Sequence, residues 1–278
     1  MEEYISDNSL YIRSKNNSMI NRKMIGRVLG MLLFIELGMF LLCAGVSAGY
    51  GESDYKYFLY TCIINAVVGG LLLLYGRGAE NKMSRRDGYC VVTLSWVFFT
   101  FFGMLPFYFS GSIDTITNAF FETMSGFTTT GATILDDIES LSHGMLFWRS
   151  LTQWIGGLGI VFFTIAILPI FTTGGVQLFS AESTGVTHDR THPKINVMAK
   201  WLWTIYLVLT VSETVLLMFG GMSLFDAICQ SFATTATGGY STKQNSISYW
   251  NSPYIEYVVA IFMIVSSINF SLFLMCLK

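Results

Sequence analysis

Phe120-Phe121-Glu122-Thr123-Met124-Ser125-Gly126-Phe127-Thr128-Thr129-Thr130-Gly131-Ala132-Thr133 is too short and too rich in hydroxyls to cross a bilayer. It nevertheless lies between two apolar runs that are long enough, 89–109 and 145–171. A span, a short amphipathic helix, a Thr/Gly strand and a second span together describe a re-entrant loop. Non-helical backbone is tolerated at membrane depth only where protein buries it or water lines it. Thr and Gly suit a strand that turns its carbonyls toward a dehydrated cation, because Gly permits unusual dihedrals and Thr adds hydroxyl oxygens. The pattern recurs at Phe232-Ala233-Thr234-Thr235-Ala236-Thr237-Gly238-Gly239-Tyr240-Ser241-Thr242, between the apolar runs 197–219 and 255–276. Two copies of such a device point to a cation pathway.

The composition fits that setting. Of 278 residues, 53% are hydrophobic and only 12% charged, which excludes an ordinary soluble domain. Measured against roughly 20 residues per spanning helix, the apolar runs predict spans at 24–47, 57–76, 89–109, 151–171, 197–219 and 255–278. The first is a full span behind a long polar leader, so it reads as an anchor and not as a cleaved signal. The fold expected is an all-α polytopic membrane protein. It divides into a cytoplasmic segment 1–23, a helical hairpin with its basic loop 24–88, a first pore unit 89–171, a connector 172–196 and a second pore unit 197–278. The pore helices should run over 116–125 and 224–233.

Charge sets the orientation. Arg13, Lys15, Arg22, Lys23 and Arg27 open the first span, Arg77, Lys82, Arg85 and Arg86 follow the second, and Arg190, Lys194 and Lys200 precede or open the fifth. The alternate connectors carry Glu52, Asp54, Asp114, Asp136, Asp137, Glu139 and Asp226, with Lys56, Arg149 and Lys243 as isolated basic residues. The positive-inside rule then puts the N-terminus in the cytoplasm and both Thr/Gly loops outside, where an acidic rim concentrates cations.

Several strings together resemble the Trk/Ktr/HKT superfamily of potassium transporters. They are Ser84-Arg85-Arg86-Asp87-Gly88, Thr93-Leu94-Ser95-Trp96, Leu105-Pro106-Phe107, Thr152-Gln153-Trp154-Ile155-Gly156-Gly157-Leu158-Gly159, Gln177-Leu178-Phe179-Ser180-Ala181-Glu182 and Ser223-Leu224-Phe225-Asp226-Ala227, besides the two loops. The hairpin ahead of the first pore unit resembles the TrkH branch. The resemblance implies potassium uptake across a bacterial inner membrane, with the ion as substrate and no cofactor. It implies four span–loop–span units around one pore, each with a filter strand holding one central glycine. Gly131 and Gly238 take that place, with Thr128, Thr129, Thr130, Thr235, Ala236 and Thr237 supplying carbonyls before them and Gly239 in support. Two units lie within these residues, so a third and fourth are implied as partners. A homodimer of the full-length protein and a cytosolic TrkA-like nucleotide-binding ring, docked on 172–199, are implied as well. The alternative is a non-conducting fragment or interaction subunit. Nothing suggests a nucleic acid; the lipid bilayer is the expected surrounding.

The remaining polar residues have simpler readings. Glu122, inside the first pore helix, should accept hydrogen bonds from backbone behind the filter. Glu36 and Glu213 lie within spans, either as proton carriers or as neutral or paired carboxyls between helices. Asn65 and Asn269 read as interhelical hydrogen bonds. Gly156, Gly157 and Gly159 fit close packing as well as a hinge. Cys43, Cys62, Cys90, Cys229 and Cys276 lack paired spacing and behave as small hydrophobes. His143, His188 and His192 sit in connectors without the partners that a metal site or a hydrolytic base needs. An intramembrane enzyme is rejected on the same ground.

Overall fold

The protein, a computed structural model, is described over residues 20–79, 84–159 and 195–268. Every regular element among them is helical. In order these are α1 (Arg22–Gly49), α2 (Tyr55–Tyr75), α3 (Arg85–Gly103), α4 (Leu105–Phe109), α5 (Ile116–Phe127), α6 (His143–Leu158), α7 (Ile195–Phe219), α8 (Leu224–Thr235) and α9 (Pro253–Ser267), with a 3-10 turn at Ser246–Trp250 before the last. Four stretches are long and apolar enough to cross a membrane: α1, α2, the α3–α4 run Arg86–Phe109, and Trp201–Phe219 of α7.

Side-chain caps fix where the helices start. Asn21, Thr115, Ser142 and Ser223 each accept from the backbone N–H three residues on. Ser84 does the same in a reciprocal capping box with Asp87. Each cap satisfies a donor that the first turn would otherwise leave bare, worth about 1 kcal/mol.

α1 and α2 form the hairpin, and their close approach depends on small residues. A Cβ on Gly30 would come within 2.9 Å of the Gly69 carbonyl oxygen, and one on Gly69 within 3.2 Å of that of Gly30. Without a hydrophobic effect between helices in lipid, such backbone contact is what holds them. α1 is the more central of the pair and also packs on α3 and α6. Phe40 and Phe127 flank Trp148 of α6 at ring distances of 4.6 and 6.0 Å, and the Trp148 indole donates to the Gly103 carbonyl at 2.8 Å. Leu59, Ile63, Val67, Leu71 and Leu74 of α2 stay exposed, as a lipid-facing surface requires.

The two ends of the bundle differ in charge. At one, the starts of α1 and α3 meet the end of α2: Asn21 N–H donates to Asp87 at 2.9 Å, and Gly76 lies against Arg27. At the other, Glu52 reaches the start of α6 and the Tyr50 ring stacks on His143 at 3.9 Å, with Phe225 of α8 edge-on to both. The connectors after both Thr/Gly loops join at this second end, where Lys243 meets Glu139 at 3.4 Å and Gln244 accepts from the Ile138 N–H at 3.0 Å.

The element boundaries largely follow the sequence reading, with one displacement. α6 begins at His143, well before the expected span at 151–171, because Ser142 provides a cap there. Arg149 therefore lies inside a helix and not in an external connector. The second half of that span, the end of the last expected span (269–278), residues 1–19 of the N-terminal segment, His188, His192 and nearly all of the connector 172–196 lie outside the described residues, and with them Asn269 and Cys276.

Candidate functional site: two re-entrant loops and the shell behind them

Each loop follows a capped amphipathic helix and reverses through the same backbone course. α5 ends at Phe127; Thr128, Thr129 and Thr130 then donate their N–H groups to the carbonyls of Met124, Gly126 and Ser125 at 2.8, 2.9 and 2.9 Å. α8 ends at Thr235; Ala236, Thr237 and Gly238 donate to Phe232, Thr234 and Ala233 at 3.2, 2.9 and 2.8 Å. Thr129 and Thr237 are left-handed, with φ of 52° and 55°, a conformation that costs a β-branched residue about 1–3 kcal/mol. Two residues later Gly131 and Gly239 again have positive φ, 74° and 86°. Backbone strain of this kind recurring in both loops marks a geometry the fold enforces.

This register corrects the pairing of glycines. The position of Gly131 is taken in the second loop by Gly239, and Gly238 corresponds to Thr130. The equivalent segments are thus Thr128-Thr129-Thr130-Gly131 and Ala236-Thr237-Gly238-Gly239, while Thr235 is still the last helical residue. Gly238 needs to be glycine for a different reason. A Cβ there would overlap the Gln153 side chain, and a Cβ on Gly131 would overlap the Gly238 carbonyl oxygen. The two strands are therefore in contact. Thr128, Thr130, Thr237 and Gly239 are exposed along them.

Behind the strands is a polar shell that bridges the two units. Glu122 of α5 accepts from Thr133 Oγ1 at 2.9 Å, from Ile134 N–H at 3.0 Å and from Arg149 Nε at 2.8 Å. The second is a backbone donor, of the kind expected of it. Arg149 Nη1 then donates to the Ser241 carbonyl at 3.1 Å, and its guanidinium lies 3.6 Å from the Tyr240 ring centroid. The Tyr240 hydroxyl donates back to the Glu122 carbonyl at 2.9 Å, and its N–H to Gln153 Oε1 at 3.0 Å. Glu122 and Arg149 are almost fully enclosed, at 0% and 2% side-chain exposure.

The sequence reading named Glu122 but missed Arg149, Gln153 and Tyr240. Arg149 and Gln153 are one helical turn apart on α6, and an arginine in the run Phe147-Trp148-Arg149-Ser150-Leu151 was the available signal, since an ionisable residue at membrane depth is a functional candidate by default. In the second unit Gln230 stands where Glu122 stands in the first, and its Nε2 lies 3.4 Å from Thr234 Oγ1.

The glycines of α6 serve packing. A Cβ on Gly156 would overlap the Phe127 carbonyl, and one on Gly157 would come within 2.7 Å of Ala236 Cα. α6 is thereby seated under the ends of both α5 and α8. Two further buried carboxyls, Glu36 and Glu213, make interhelical contacts: Asn65 Nδ2 donates to Glu36 Oε2 at 3.1 Å, and Thr235 Oγ1 to Glu213 Oε2 at 3.4 Å. Cys43, Cys62, Cys90 and Cys229 are free thiols.

Outside the spans, Glu52 closes the acidic end. Its partial burial raises its pKa, but N–H donors from His143 and Gly144 at 2.9 and 3.3 Å and the His143 ring at 2.7 Å outweigh that and hold the carboxyl below its ordinary value.

Comparison with known proteins agrees with this architecture. The family model described as "TrkH: Cation transport protein" matches residues 55–278. The Trk system potassium uptake protein TrkH of Escherichia coli K12 is 42% identical over 250 residues, 89% of this chain and 52% of that protein. TrkH of Halomonas elongata is 37% identical over 252 residues, covering 90% and 52%. The crystal structure of the potassium transporter TrkH from Vibrio parahaemolyticus superposes with a TM-score of 0.77 at 34% identity, over 91% of this chain and 51% of that one. The chain thus spans about half the length of the relatives it matches. On the family match and these identities together, the chain is a membrane protein that belongs to the TrkH family of cation transport proteins.

Proposed function

We propose that the two loops form part of the selectivity filter of a potassium-uptake pore. The observation that carries this is the repeated backbone course of Thr128–Gly131 and Ala236–Gly239, with the strands in contact at Gly131 and Gly238. Carbonyls held by a packed shell can replace the hydration shell of an ion without moving to meet it, and the pore helices turn their partially negative C-terminal ends toward the same place. Relatives named as potassium uptake proteins support potassium as the ion. Transport runs down the electrochemical gradient, to which an inward-negative potential adds roughly 2.3 kcal/mol per charge per 100 mV.

In this reading the basic end of the bundle is cytoplasmic, the acidic end is external and the membrane is the bacterial inner membrane. Further pore units complete the ring of carbonyls. A dimer of the full-length protein and a cytosolic nucleotide-binding ring docked on the connector between α6 and α7 complete the system.

The test is rubidium uptake by cells that lack their own potassium uptake and carry this chain together with further pore units. Gly131→Ser is expected to abolish uptake or to let sodium compete. Unchanged uptake and unchanged sodium competition would remove Gly131 from the filter. Liposomes holding residues 1–278 alone should show no selective flux, because strands on two sides leave an ion's dehydration uncompensated. Robust flux there would point to a homodimeric pore.

A further inference from the structure

Glu36 and Glu213 are both fully buried in spanning helices, and no lysine, arginine or histidine among the described residues pairs with either. They come from unrelated places in the sequence, one from the hairpin and the other from the second pore unit. The repeat nevertheless brings them to the same position.

The spans that precede the two pore helices end in the same turn. Ser110 N–H donates to the Pro106 carbonyl at 3.1 Å and Gly220 N–H to that of Leu216 at 3.2 Å; Gly111 N–H then reaches Tyr108 at 3.2 Å and Gly221 N–H reaches Met218 at 3.0 Å. Gly111 and Gly221 have φ of 72° and 94°. Counted back along the helix from this shared turn, Gly103 is the counterpart of Glu213. Gly103 has no side chain, and the space is filled from outside the repeat. A Cβ on Gly103 would lie 3.2 Å from Glu36 Oε1 and 3.0 Å from both the Phe127 ring and Thr123 Cγ2. Phe127 is the counterpart of Thr235, whose hydroxyl donates to Glu213. A carboxyl is therefore set against the last turn of each pore helix, carried by the span itself in the second unit and lent by α1 in the first.

Each carboxyl leaves one buried oxygen without a donor, and the hairpin and the second unit each also hold one buried amide oxygen in the same state. These are Glu36 Oε1 with Asn65 Oδ1, and Glu213 Oε1 with Gln230 Oε1. All four atoms are acceptors when the acids are ionised, so none of the four oxygens can bond another as they stand. We propose that Glu36 and Glu213 are proton-binding sites, one behind each filter strand, and that both are occupied in the folded protein.

At Glu36 one proton resolves both orphans. Asn65 Nδ2 already donates to Oε2, and a hydroxyl at Oε1 donates to Oδ1 of the same amide, closing an acid–amide pair. The neighbouring thiol of Cys62 does not compete, since it donates to the Leu37 carbonyl at 3.7 Å. Position argues in the same direction. The C-terminal end of a pore helix carries partial negative charge, so an anion behind it is disfavoured where a neutral acid is not. Glu122, by contrast, has the Arg149 guanidinium beside it at 2.8 Å.

Infrared spectra of the purified chain in lipid at neutral pH test this protonation without any need for conduction. A protonated carboxylic acid has a C=O stretching band that a carboxylate lacks. The band should be present in the wild type, weaker in Glu36→Gln and in Glu213→Gln, and absent when both are replaced. Its absence from the wild type, or its persistence in the double variant, would overturn the proposal. Thermal unfolding decides for Glu36 should the double variant fail to fold. Glu36→Gln can form an amide–amide pair with Asn65 and should melt like the wild type, with Glu36→Ala several degrees lower. A Glu36→Gln variant as unstable as Glu36→Ala would refute a neutral Glu36.

Discussion

Replacing Arg149 with methionine removes the charge from the shell while keeping most of the side-chain volume. Three contacts disappear together: the 2.8 Å bond to Glu122, the 3.1 Å bond to the Ser241 carbonyl and the stacking 3.6 Å from the Tyr240 ring. Breaking a buried ion pair from one side costs about 3–5 kcal/mol, because it strands the other charge. Glu122 keeps two donors, Thr133 Oγ1 and Ile134 N–H, which places the expected loss near the lower bound, about 3 kcal/mol. At 1.4 kcal/mol per decade this is roughly a hundredfold change in the folded-to-unfolded ratio. Unfolding in mixed micelles by added dodecyl sulfate, followed by tryptophan fluorescence, reads it, since Trp148 is the adjacent residue. Glu122→Gln in the same background should recover part of the loss, with an interaction energy of about 0.5–3 kcal/mol between the two sites. A variant within about 0.5 kcal/mol of the wild type would refute the reasoning, since that is how a solvated surface arginine behaves.

Two further outcomes follow from the geometry. Gly156→Ala should lower the yield and melting temperature of the purified chain, because its Cβ meets the Phe127 carbonyl, while Gly70→Ala, which faces open space, should leave both unchanged; equal behaviour of the two would contradict the seating of α6. Glu52 has its carboxyl held below the ordinary value of about 4.3, so its contribution is complete above that value and is lost as pH falls through the depressed one. Melting curves between about pH 6 and pH 3 should therefore steepen their decline in the acid range, and Glu52→Gln should flatten it; an identical profile in the variant would dismiss the clasp at His143.

Much of this architecture was legible because it is written in local pattern. Apolar runs gave the four stretches long enough to cross a membrane, and the Thr/Gly clusters with the short segments ahead of them gave helices α5 and α8, which end within two residues of expectation. What failed was whatever depends on partners distant in sequence. Arg149 was assigned to the external connector because counting charges between apolar runs cannot show that Glu122 lies waiting inside the bundle. The glycine pairing failed for a different reason. Matching Thr-Gly to Thr-Gly aligns composition, whereas the backbone counts from the helix cap, and the same spacing separates Thr115 from Gly131 as separates Ser223 from Gly239. Gly103 gave no signal at all, since its meaning lies in a side chain supplied by another helix.

Arg149 also bears on how a duplicated architecture diverges. It belongs to the first unit, yet its guanidinium is read by Tyr240 and Ser241 of the second. Once such a bond has formed across the seam, neither copy is a free-standing module that can be exchanged between relatives by cutting in the connector. A grafted second unit must still offer the recipient's Arg149 and Gln153 the contacts that Tyr240 and Ser241 make. Change in either unit is therefore constrained by side chains of the other.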